Sequence, residues 1–168
     1  MLISEETSKA LDLLYNQFFN LNALFDNAVS YMLNEWCMPN ASEIIHHNLA
    51  HTFPVMADMV SEIKDNYDVK SVRTAIPAHD EEYEDLLDMT NTMYEYCANT
   101  YEMLKTASRV AMNNGDLNVL SDLVEFTSKF NKIMGQVITL KGKAEQMPNE
   151  FDKFDRHIDK WKIVGLEV

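Results

Sequence analysis

The chain has 168 residues, 46% of them hydrophobic, with only four glycines and four prolines. That length suits one domain with a sizeable core, and so few turn formers argue against an all-β fold. A formal net charge of −13 argues against direct nucleic-acid binding, because gripping phosphates takes clustered Lys and Arg.

The opening "MLISEETSKALDLL" places acids by the fifth residue and lacks a cationic flank before an apolar run, so it does not read as a signal peptide. Nor does any stretch reach membrane-spanning length. Cys37 and Cys97 are too few for a disulfide framework, which points to reduced thiols and a cytoplasmic setting. Eleven methionines suit an adaptable core.

Four long segments carry helical periodicity. Leu11, Leu14, Phe18, Leu21, Phe25, Ala28 and Met32 step by three and four, as one buried helical face requires. A second face runs through Ile45, Leu49, Thr52, Met56, Met59 and Ile63. A third uses Leu86, Thr90, Met93, Cys97, Thr100 and Leu104. The fourth uses Leu120, Val124, Thr127, Phe130, Met134 and Val137. Asn40 with Glu43 reads as a capping box for the second helix. Asp80 and the following "EEYED" read as the acidic first turn of the third. Gly115 then Asp116 reads as a stop and a fresh N-cap. Pro54 should kink or bulge the second helix.

After Pro148, Asn149 is placed to cap a short fifth helix with Phe151, Phe154, Ile158 and Trp161 on one side. The expected division is a four-helix bundle over 1–147 and a tail helix packed on it over 148–168. Short links join helices one to two and three to four, so each pair should be antiparallel. The link 67–79 is longer: thirteen residues reach about 45 Å extended, enough to run the bundle's whole length. The reading is all-α: a ferritin-like four-helix bundle with one long crossover (67–79) and a short C-terminal fifth helix.

The stretch "HHNLAHTFPVMADMVSEI" (46–63) concentrates the metal-ligating residues. On a helical wheel His47, His51, Asp58 and Glu62 share a strip roughly 110° from the apolar centre. Glu43 lies slightly beyond it, and His46 falls on the opposite flank. "EIIH" (43–46) matches the Glu-x-x-His pair of di-iron bundles, but the fourth helix offers no inward ligand, so a di-metal site in the bundle core is rejected. His47 and Asp58 are eleven residues apart, about 16 Å along one helix. One ion reaches both only if a two-fold neighbour's helix runs antiparallel. His46 and His79 read as surface histidines, His157 as part of the tail helix surface, and Tyr31 as packing.

Through "DMVSE" (Asp58, Glu62), preceded by Glu43 and His47, the sequence resembles mini-ferritins of the Dps type. The family's two characteristic histidines fall at Tyr31 and Glu43 here. The resemblance implies an iron site between subunits, formed by Glu43, His47, His51, Asp58 and Glu62. It also implies oxidation of iron(II), storage of ferric mineral, and self-association as a two-fold dimer within a hollow dodecameric cage. Nitrogen and oxygen ligands of this kind suit iron, manganese or zinc. The alternative is a bundle of the same fold that binds no metal and serves as an interaction or scaffold protein, with Glu43 only a cap residue.

Overall fold

The computed structural model describes residues 1–166 and builds them from helices, with no strand among the described residues. Helix α1 (Glu5–Trp36) buries all seven positions that set its predicted face, Leu11 to Met32. Its start is capped from two directions. Ser4 Oγ accepts from the Thr7 amide, and the Asp116 carboxylate accepts from the Ser4 amide and from the Ser4 and Thr7 hydroxyls. A carboxylate there also meets the partial positive charge of the helix N-terminus.

The second bundle helix is composite: α2 (Pro39–Ile45), a π turn (His46–Ala50) and α3 (Thr52–Asn66). The expected Asn40–Glu43 capping box does not form. Pro39 opens α2, and Met38 at the cap position offers no side-chain acceptor. The acceptor comes from the tail instead: Asp155 Oδ1 lies 2.7 Å from the Ala41 amide nitrogen.

Helix α4 (Leu86–Asn113) begins later than Asp80. Asp85 is its N-cap, accepting from the Asp88 amide at 2.8 Å, and "EEYE" (81–84) stays in the crossover. After Gly115, whose φ of +72° suits glycine best, comes α5 (Leu117–Gln146). Asp116 stands at its N-cap position, but its side chain bonds α1 rather than capping its own helix. The α5 face differs from expectation: Val119, Leu123, Phe126, Phe130, Ile133, Val137, Leu140 and Ala144 are buried, while Val124 is 62% exposed. Two series with the same spacing overlap at Phe130 and Val137, and the bulkier one faces the core.

The tail forms α6 (Phe151–His157) and a 3-10 turn (Ile158–Trp161). Glu150, not Asn149, is the N-cap residue. Phe151 stacks on Trp36 at 4.7 Å, and Trp161 meets Phe154 edge-on at 4.8 Å. The bundle centre is aromatic: Phe25 and Phe53 meet at 4.8 Å, and Phe18 lies edge-on to Phe126 and Phe130.

Bonds at the two ends fix the topology. The Leu2 amide donates to Tyr67 O at the end of α3, while the Tyr31 hydroxyl near the end of α1 donates to Tyr83 O beside the start of α4. The link therefore crosses the whole bundle, over 67–85. Along the way α1 holds it. Asp12 accepts from the Val72 amide, Asn16 bonds Val72 O and the Thr74 amide, and Asn27 donates to His79 O.

Candidate metal-binding face

Pro54 shapes this face. It brings no N–H for the Ala50 carbonyl four residues back, and its ring presses on that same carbonyl. The helix responds with a π turn, in which the His51 amide donates to His46 O at 3.1 Å. Asn22 of α1 replaces the missing donor, with Nδ2 2.8 Å from Ala50 O. The tail then closes over the turn. Asn48 Nδ2 donates to Ile163 O, and Gln136 bonds the Val164 and Gly165 amides and Gly165 O. Gly165 sits at φ +70°, and a Cβ there would stand 2.0 Å from Asn48 O. Only glycine fits.

Glu43, His47, His51, Asp58 and Glu62 are all exposed, as an aligned outer strip requires. His46 does not keep to the opposite flank. Five residues at about 100° each would leave it roughly 140° from His51, but the i→i+5 bond of the π turn brings the two into register. The ring centroids of His46 and His51 are 4.3 Å apart, those of His46 and His47 5.0 Å, and those of His47 and His51 5.3 Å. Asp26 of α1 approaches His46 Nε2 at 3.8 Å. Pro54 was the signal in the sequence for this cluster, because a bulge shifts the register of everything before it.

Among the described residues, no three His, Cys, Asp or Glu side chains converge on a common metal position within one chain. Asp58 and Glu62 lie beyond reach of His47 along the helix, as the sequence spacing requires. Beside the strip, the groove between α3 and α5 divides by charge. One end, a cleft of about 190 Å³, is lined by Glu62, Asp122, Glu125 and Lys129. The other, about 540 Å³, is lined by His47, His51, Val55, Met59, Lys129 and Lys132.

Two other residues land away from this face. His79 is no surface histidine: its side chain is 4% exposed. Its Nδ1 lies 2.7 Å from Glu81 Oε1 and its Nε2 lies 2.6 Å from Asn20 Oδ1. That latch holds the crossover on α1, and its partner Asn20 lies too far off in the sequence to mark His79 as buried. Tyr31, where the resemblance implies a histidine, packs edge-on against Trp36 and Tyr83. Burial, then the neighbouring Glu81 and Asp88 charges, push the Tyr83 phenol well above its ordinary range.

Among solved structures, this chain is similar to an open-pore ferritin from the hyperthermophilic archaeon Archaeoglobus fulgidus. The two superpose with a TM-score of 0.84 over 96% of this chain and 98% of the other, at 15% sequence identity. The fold is the ferritin fold. No known sequence family and no curated protein matches the sequence. In this fold the bundle centre is filled by Phe18, Phe25, Phe53 and Phe130, all fully buried, while Glu43, His47, His51, Asp58 and Glu62 are exposed along the composite helix of α2, the π turn and α3. Among the described residues, no helix is long and apolar enough to cross a membrane.

Proposed function

We propose that the protein self-associates and handles iron(II) at a site between two copies, as Dps-type mini-ferritins do. Glu43, His47 and His51 of one chain would face Asp58 and Glu62 of a two-fold mate. The observation that carries this reading is the exposure of five nitrogen and oxygen ligands along the composite helix of a ferritin-fold bundle, divided into two groups that one chain cannot bring together. The donor set fits the metal. Carboxylates favour the harder iron(III), and imidazole retains affinity for iron(II). Bound iron(II) would be the substrate, oxidised by oxygen or peroxide. The chain's residues would hold it and offer carboxylates to the ferric product. The charge division of the α3–α5 groove also supports an antiparallel mate, since a two-fold pairing sets the acidic end of one copy towards the basic end of the other.

A second reading keeps the fold without the metal, as an interaction or scaffold protein. The apolar bundle centre favours it, because those side chains serve packing alone. Ferric absorbance after addition of iron(II) in air, measured beside the native mass, separates the two. The iron reading expects oxidation above buffer, loss of it in Asp58→Ala/Glu62→Ala, and a closed oligomer. A monomer with no oxidation supports the scaffold.

A further inference from the structure

We infer that His46, His47 and His51, with Asp26 beside them, form a second metal site complete within one chain, which takes a nitrogen-preferring divalent ion of the zinc(II) and copper(II) class. This inference stands apart from the iron reading, since it needs no partner copy and uses two residues, His46 and Asp26, outside the inter-subunit set.

In a tetrahedral tris-imidazole site with metal–nitrogen bonds of about 2.0–2.1 Å, the ring centres lie about 5 Å apart. The three separations here are 4.3, 5.0 and 5.3 Å. They arise from the backbone, because the π turn places residue 51 over residue 46 while His47 and His51 keep their four-residue spacing. π turns of this kind concentrate at functional sites. As the side chains stand, no group of three His, Cys, Asp or Glu among the described residues could hold a metal ion, so the site forms only when the rings turn. His47 and His51 are exposed, and the His46 side chain is 40% exposed, so all three can turn with little packing to disturb. Asp26, 3.8 Å from His46 Nε2, is placed to orient that ring or to supply a fourth, anionic ligand. Lys129 and Lys132 across the cleft oppose a cation, but solvent screens them.

Three neutral imidazoles suit zinc and copper(II) better than magnesium or calcium, which prefer oxygen alone. An ion here would tie α1 to the π turn. It would also occupy His47 and His51, so zinc and iron(II) would compete.

The test uses the whole chain, first stripped with a chelator. Zinc(II) is titrated calorimetrically, and cobalt(II) is followed by its visible spectrum. The inference expects one ion per chain and the intense bands of tetrahedral cobalt. It further expects affinity to fall at least about tenfold in His46→Gln, and to be unchanged in Asp58→Ala/Glu62→Ala. Circular dichroism of His46→Gln should match the parent, because the ring is on the surface. A pale octahedral cobalt spectrum, or equal zinc affinity in His46→Gln and parent, would overturn it. If His46→Gln loses zinc but still oxidises iron, the zinc site depends on a residue the iron site does not use, although the two share His47 and His51. If zinc binds and no variant oxidises iron, the iron reading alone fails.

Discussion

Asn22 donates to the carbonyl that Pro54 leaves without a partner. Asn22→Leu would strand a buried acceptor, at a cost of about 1–3 kcal/mol. We expect a lower urea midpoint with an unchanged slope, and partial recovery when Pro54→Ala restores the backbone donor. Asp116 acts through its charge. Desolvation pushes its pKa up, but hydrogen bonds from Thr7 and Ser4 outweigh this and hold it below the ordinary 3.8. Because the folded value is the lower one, the stabilisation is present above the unfolded pKa and is lost as pH falls through the folded one. A melting-temperature profile should therefore show Asp116→Asn less stable than the parent at neutral pH and the two converging in acid. The cysteines differ in the same way. Burial pushes the Cys97 thiol far above its ordinary range, whereas Cys37 is exposed, so a thiol reagent should modify Cys37 quickly and reach Cys97 only on unfolding.

At the scale of elements, the crossover depends on a buried charge. Lys64 is 0% exposed and pairs with Asp12, which also accepts from the Val72 amide. Asp12→Ala should cost about 3–5 kcal/mol by leaving Lys64 buried without its partner, and hydrogen exchange should quicken around Val72 and Thr74. Replacing both with apolar residues should cost far less. The helices themselves were legible in the sequence wherever one apolar series dominated: α1 and α4 bury the predicted faces. On α5 two series shared a spacing, and periodicity had no means of choosing between them. Caps were the weakest part, because Asp155 caps α2 and Asp116 reinforces the Ser4 cap of α1 from more than a hundred positions away. The outer strip of Glu43, His47, His51, Asp58 and Glu62 was readable because surface positions need no packing partner to be placed. The gathering of His46 was hidden by a π turn that a regular wheel does not contain.

For the whole molecule, the fold leaves chemistry to the surface. A bundle centred on Phe18, Phe25, Phe53 and Phe130 gains stability from burial, and the proposed ligands Glu43, His47, His51, Asp58 and Glu62 lie on its exposed surface. The iron reading therefore requires assembly, and the charge-divided groove offers an antiparallel mate a complementary surface. Assembly should weaken with rising salt if that complementarity drives it. The most direct measurement is subunit complementation. Chains carrying His47→Ala/His51→Ala are co-expressed with chains carrying Asp58→Ala/Glu62→Ala, and iron(II) oxidation by the mixed oligomer is compared with each variant alone. A site shared across the two-fold becomes whole in every mixed pair, so activity should return although both parents lack it. If the mixture is as inactive as its parents while mixed pairs are present by native mass, the ligands do not act across copies and the account is contradicted.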